Sequence, residues 1–355
     1  MNLSFYKNKS IFVTGHTGFK GAWLCHILKR AGARVAGYAL EPESGSVFEL
    51  AGIADGLNST IGDIRDAEML SAAFERARPE MVFHLAAQPL VLDSYLQPAY
   101  TFETNIMGTV NLLECVRRSE TVRSVVLVTT DKVYKNNEWP YGYRENDILG
   151  GSDPYAASKS CVEIVAESYR TSFLKSIPLS TARAGNVIGG GDISGNRIIP
   201  DCVRAAVMRE PIIVRNPYSV RPYQHVLEPL FAYLQIAERQ QENAGLSGNY
   251  NIGPNEADCI TTGELADVFC KAWGDGQTWE TTMQQNETKL ESNLLRLDCS
   301  KMRSVFNWCP VWNVNEAVSK TVEWEKTRIY DGNVRTVMDK QIDEYIEIRT
   351  KNTSC

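Results

Sequence analysis

The stretch Ser10-Ile11-Phe12-Val13-Thr14-Gly15-His16-Thr17-Gly18-Phe19-Lys20-Gly21-Ala22 decides the fold. Ile11 to Val13 form an apolar, β-prone run, three glycines follow at a regular spacing, and a helical stretch begins near Ala22. Strand, turn and helix in that order make the opening of a dinucleotide-binding βαβ unit. Each glycine has a task there: one allows the tight turn, one lets the backbone approach a pyrophosphate, and one lets the helix pack against its strand. The helix N-terminus adds free N–H groups for the phosphates. Glycine turns also occur in ordinary loops, so a second signal is needed.

The second signal is Asp153-Pro154-Tyr155-Ala156-Ala157-Ser158-Lys159. Asp153 is a natural N-cap and Pro154 suits the first helical position, so Tyr155 and Lys159 fall in the opening turns of one helix and on one face. A Lys amine and a positively charged nicotinamide near a Tyr hydroxyl both favour phenolate, moving a pKa of ~10 toward the range of a general base. Away from a dinucleotide turn, the same pair reads as a solvated contact on a helix surface.

Working outward, strand-like runs near Ile11, Val35, Met81, Val125 and Thr181 alternate with periodic apolar helices through about residue 185. That order predicts an α/β fold with a Rossmann-type, doubly wound parallel sheet. Beyond it the texture changes, with Gly189-Gly190-Gly191, several prolines, and five of the seven tryptophans at 273 or later. This predicts a smaller α/β substrate-binding domain. The expected division is 1–185 plus about 226–247 for the dinucleotide-binding domain, about 186–225 and 248–345 for the substrate-binding domain, and a frayed tail over 346–355.

Composition narrows the function classes. A formal net charge of −6 over 355 residues argues against a general nucleic-acid binder, which would carry a basic face. No apolar run approaches membrane-spanning length and residues 1–10 have no apolar signal core, so a cytoplasmic protein without membrane contact is expected. The nine cysteines include no Cys-x-x-Cys pair and read as reduced thiols, while four scattered histidines give no metal site. Asn58-Ser59-Thr60 and Asn286-Glu287-Thr288 fit the glycosylation pattern but carry no weight without a secretory signal.

With both motifs in place, the chain resembles the extended short-chain dehydrogenase/reductase superfamily over nearly its whole length. Further matching blocks are Gly62-Asp63-Ile64-Arg65-Asp66, His84-Leu85-Ala86-Ala87-Gln88 and Thr104-Asn105-Ile106-Met107-Gly108-Thr109. The resemblance implies a bound NAD, held by Gly15, Thr17, Gly18, Phe19, Lys20, Gly21, Asp63, Ile64, Leu85, Ala86, Ala87, Gln88, Asn105, Thr129, Tyr155 and Lys159. Asp63 would face the adenine amino group and Lys159 the nicotinamide ribose. Val35 to Leu40 lacks the usual ribose-binding acid, and no Arg follows to meet a 2′-phosphate, so NAD is favoured over NADP.

The segment Val128-Thr129-Thr130-Asp131-Lys132-Val133-Tyr134 ends a strand, where ligands bind in open α/β sheets. Thr130 there suffices for oxidoreductases and epimerases, whereas Asp131 and Lys132 resemble the Asp-Glu pair of nucleotide-sugar 4,6-dehydratases with Lys in place of Glu. The blocks Ala86-Ala87-Gln88-Pro89-Leu90-Val91, Gly142-Tyr143-Arg144-Glu145, Arg183 to Asp192 and Arg221 to Leu230 carry the resemblance to the CDP-glucose 4,6-dehydratase family within that group. It implies Thr130, Asp131, Lys132, Tyr155 and Lys159 as catalytic residues. Asp131 is expected to be a protonated acid, and Lys132 is expected as the base at C5, which requires desolvation and neighbouring positive charge to lower its ordinary pKa of ~10.4. Gln88, Thr130, Asn186, Arg197, Arg215 and Arg221 are the expected contacts to CDP-glucose or a related nucleotide sugar, Arg being the natural partner of phosphate. A homodimer is expected, with a tetramer as the alternative. The rival readings are a nucleotide-sugar 4-epimerase or reductase, which has no use for Asp131 and Lys132, and a non-catalytic dinucleotide sensor, which typically loses the Tyr-Lys pair.

Overall fold

The computed structural model describes residues 3–281 and 294–351. Seven strands form one wholly parallel sheet: β1 (Ser10–Thr14), β2 (Arg34–Ala39), β3 (Asn58–Ile61), β4 (Met81–His84), β5 (Ser124–Val128), β6 (Leu179–Ala184) and β7 (Asn249–Ile252). Their spatial order is β7-β6-β5-β4-β1-β2-β3. Chain order reverses between β1 and β4, so the loops leaving these strands diverge and open a crevice at their carboxyl ends. The central strands β4, β5 and β6 are buried along their length, as a sheet covered on both faces requires.

One face carries helices Phe19–Arg30 and Leu227–Glu242, whose Trp23, Leu24, Ile27, Phe231 and Leu234 share a core with Val13 and Phe83. The other face carries Ala67–Ala77, Gly108–Arg118 and Pro154–Ser172, packing Leu70, Phe74, Leu112, Val116 and Ala166 on Phe12 and Leu127. A third core joins Ile198–Met208, Thr262–Trp273 and Val314–Tyr330 around Phe269, Trp273 and Tyr223. Capping boxes at Thr261/Glu264 and Asn313/Glu316 start the latter two helices.

The structure departs from the expected segment boundaries in two places. β7 lies in a stretch expected to belong to the substrate-binding part, yet it pairs with β6 and completes the main sheet. Residues 346–351, expected to be frayed, instead continue the helix Val334–Lys351. Its inner face is apolar: Ile342 and Tyr345 are fully buried, and Tyr345 packs on Phe231 and Trp312. Arg349 then fastens the last turn to Gln235 at 2.7 Å, and His26 and Arg30 meet Asp339 and Asp343 from the first helix. Residues 352–355 of that tail, and Asn286-Glu287-Thr288, lie outside the described residues. Cys25, Cys115, Cys161, Cys202, Cys259, Cys270 and Cys299 are free.

Candidate active site

The glycine turn joins β1 to its helix. Gly15 has φ +74°, and a Cβ there would stand 2.7 Å from the Ala86 nitrogen, so only glycine lets the turn pass the β4 loop. A Cβ on Gly21 would meet the Gly15 carbonyl oxygen at 2.0 Å, which is the close helix-to-turn packing expected of the third glycine. Gly18, by contrast, is exposed and stands at the N-cap of the helix, where a Cβ would meet only the Gly15 carbonyl oxygen, at 3.4 Å. The turn is therefore a cradle with bare backbone facing the sheet's switch point, and it fits a dinucleotide pyrophosphate. Thr17 is buried and donates to the Leu40 carbonyl at 3.0 Å, fixing the turn to the end of β2.

Buried His84 ties this cradle to the rest of the crevice. Its ring nitrogens meet Thr14 Oγ1 at 2.7 Å and Thr109 Oγ1 at 3.0 Å, and Thr109 donates onward to the Asn105 carbonyl. Burial and the nearby Lys159 push the imidazole down to about 3, so it stays neutral and structural.

At the end of β5 the chain enters a single 3-10 turn, Asp131–Val133, capped by Thr130. The Thr130 hydroxyl donates to Asp131 Oδ1 at 2.9 Å. Asp131 is 3% exposed, and its Oδ2 has no hydrogen-bond partner and lies where a Cβ on Gly185 would be 3.3 Å away. Burial raises the carboxyl above its usual range, against the pull of Lys132, Thr130 and Arg221. A protonated Asp131 with one free oxygen can deliver a proton to a leaving group.

The helix Pro154–Ser172 begins as the sequence predicts, with Asp153 accepting from the Ala156 N–H at 2.8 Å. Burial pushes the Tyr155 hydroxyl up to about 12, with Asp131 adding to the rise and the Thr130 hydroxyl opposing it. Lys159 is buried, donates to the Val128 carbonyl at 3.1 Å, and is lowered to about 7 by burial and by the charge of Lys20, while Glu163 opposes the fall. The expectation that Lys159 lowers Tyr155 is thus not met by the protein alone, because desolvation dominates at both groups.

These residues match a known family. The family model for GDP-mannose 4,6 dehydratase covers residues 12–321, and CDP-glucose 4,6-dehydratase of Salmonella typhimurium is 43% identical over 98% of this chain and 99% of its own. The chain belongs to the GDP-mannose 4,6 dehydratase family. Among solved structures, an epimerase from Methanothermobacter thermautotrophicus superposes with a TM-score of 0.82 at 21% identity, covering 95% of this chain and 96% of that one. A UDP-glucose 4-epimerase from Thermus thermophilus in complex with NAD gives 0.78 at 25% identity, covering 89% and 98%.

Within this family member, the expected site residues divide into groups. Thr130, Asp131, Tyr155 and Arg221 converge on the crevice, and the positive charge of Arg197 opposes the rise at Tyr155. Lys20 joins them: its amine is lowered to about 8 by burial and by Arg197, and it also feels Asp131 and Asp192. Lys132 is half-buried beside Asp131, and Leu85, Ala86, Ala87 and Asn186 are half-buried along the crevice loops.

Other expected contacts spend their side chains on the scaffold. Asn105 accepts from Gln88 N and donates to the Gln88 carbonyl and Ser158, pinning the β4 loop to the Tyr155 helix. Gln88 turns its amide to Thr101 and Leu90, and Thr129 gives its hydroxyl to Glu163. Asp63 is ion-paired with Arg65, and buried Ile64 packs where Gly108 starts the next helix. Arg215 is half-exposed and bonds Asn196, bracing the loop before Arg197. Sequence reading missed His84, Glu163 and Arg183 because their partners lie far along the chain; only the four-residue step from Lys159 to Glu163 hinted at a shared helix face.

Proposed function

We propose that the chain is an NAD-dependent lyase that converts CDP-glucose to CDP-4-dehydro-6-deoxy-glucose and water. One observation carries the reading: a buried carboxyl, Asp131, with a raised pKa and a free oxygen, stands beside the redox tyrosine. A 4-epimerase moves hydride and proton at one carbon and needs no such acid. The cytidine moiety rests on the likeness to the Salmonella relative.

The glycine turn Gly15 to Gly21 would hold NAD, which would supply a hydride acceptor at C4 and donor at C6 and a positive charge that opposes the rise at Tyr155. Tyr155, oriented by Thr130, takes the proton of the 4-hydroxyl as the 4-ketone forms. The ketone acidifies C5–H, and the half-buried Lys132 amine takes that proton. Asp131 gives its proton to the C6 hydroxyl, the C–O bond breaks, and water leaves. With hydride restored to C6 and the proton returned to C5 from Lys132, the product is a 4-ketone that carries a methyl group on C5. Arg221, Arg197 and Lys20 supply positive charge for the diphosphate, and Arg215 holds the Arg197 loop.

Exposed Leu96, Met107 and Ile164 on the helices beside the crevice support assembly as a homodimer through this face. Light scattering of the purified protein tests that. Among the described residues no helix is long and apolar enough to cross a membrane. The activity is tested by mass spectrometry after incubation with NAD and CDP-, dTDP-, GDP- or UDP-glucose. Loss of one water from the CDP sugar supports the reading; a changed stereocentre at unchanged mass refutes it in favour of epimerisation.

A further inference from the structure

A buried ion pair behind the crevice has no part in the chemistry above. Glu163 and Arg183 are each 1% exposed at the side chain and meet at 2.9 Å. Glu163 lies one helical turn beyond Lys159. Its Oε1 accepts from Thr129 Oγ1 at 2.5 Å, and its Oε2 accepts from Thr181 Oγ1 at 2.7 Å as well as from Arg183. Arg183, on β6, donates through Nη1 to Tyr134 Oη at 2.8 Å and to the Glu145 carbonyl at 3.0 Å. Tyr134 in turn donates to Asn251 on β7 at 2.5 Å.

Thr129 and Tyr134 are the residues that immediately flank the segment Thr130-Asp131-Lys132-Val133. One ion pair therefore holds both ends of the turn that carries Asp131 and Lys132, and anchors it to the Tyr155 helix. The Ser160 hydroxyl, from the same helix, adds a bond to the Val133 carbonyl at 2.8 Å. A surface pair would contribute little, but a buried carboxylate saturated by two hydroxyls and a guanidinium is stiff and specific.

We infer that Glu163, with Arg183, is a positioning residue of the dehydratase reaction: it clamps the Asp131–Lys132 turn against the Tyr155 helix. The inference rests on the function proposed above.

Two variants test it. Glu163→Gln keeps the shape but removes the charge that binds Arg183 and the two hydroxyls, and Thr129→Val keeps the ion pair but frees one end of the turn. In both, elimination slows by about tenfold or more while hydride transfer continues, so reduced nicotinamide accumulates during turnover with KM little changed. Circular dichroism checks folding, and Thr129→Val carries the test alone if Glu163→Gln does not fold. Folded variants with wild-type turnover and no accumulation overturn the inference. A wild type that dehydrates none of the sugar nucleotides refutes instead the function on which it rests.

Discussion

Glu228 offers a prediction that the structure makes quantitative. It sits in the first turn of the helix Leu227–Glu242, fully buried, and its carboxylate accepts from the N–H groups of Val311 and Trp312 at 2.9 and 2.8 Å and from Tyr345 Oη at 2.7 Å. Burial nonetheless pushes it from 4.5 up to about 7. The unfolded chain ionises near 4.5 while the folded chain keeps its proton, so this group's contribution is fully present below pH 4.5 and is lost as pH rises through about 7. A rise of about 2.5 pH units at ~1.36 kcal/mol each corresponds to about 3 kcal/mol. Glu228→Gln cannot ionise, yet its oxygen still serves the two N–H groups. Urea unfolding of both proteins at pH ~5 and ~8 isolates the group, because all other titrations cancel in the difference. The Gln variant should gain about 2–3 kcal/mol relative to wild type on going from the lower to the higher pH. A constant offset between the two proteins would refute the reasoning.

Other predictions address the site. Asp131→Asn retains bulk but has no proton to give, so water loss should fall by about 10²- to 10⁴-fold while reduced nicotinamide builds up; equal loss of both steps would contradict its assignment. Lys132→Met should abolish exchange of the C5 proton with solvent during turnover, read by NMR in D2O; normal exchange would remove Lys132 as the base. Gly15→Ala forces a Cβ to 2.7 Å from Ala86 N at a φ of +74°, so the purified variant should retain little cofactor, measured by nicotinamide content after denaturation. Lys20→Met should raise KM for the sugar nucleotide severalfold more than it affects NAD binding, because the amine feels Asp131, Asp192 and Arg197 across the crevice. An effect confined to NAD binding would return Lys20 to the cofactor alone.

What the sequence disclosed was local in character. The glycine spacing, the Asp153-Pro154 helix start and the strand ends at Thr14, His84 and Val128 are written in consecutive residues, and the sheet, the crevice and the Tyr155 helix follow from them. Residues whose roles depend on distant partners could not be read. Nothing near Asn105, Gln88 or Thr129 announces that their polar groups face Ser158, Thr101 and Glu163 rather than a ligand. β7 is a four-residue strand whose place is set by pairing with β6, a contact across many residues of intervening chain. Residues 346–351 read as a frayed end because they are mostly charged or polar, and a contact such as Arg349 to Gln235 shows only in the folded chain. The direction of the Tyr155 and Lys159 shifts likewise depends on burial, which a motif does not display.

The most direct test of the account follows one hydrogen. CDP-glucose carrying deuterium at C4, incubated with the protein and NAD in ordinary water, should give a product lighter by one water that keeps the label, now on the C6 methyl group. Label lost to solvent, or left at C4 of a sugar of unchanged mass, would contradict an internal redox dehydration.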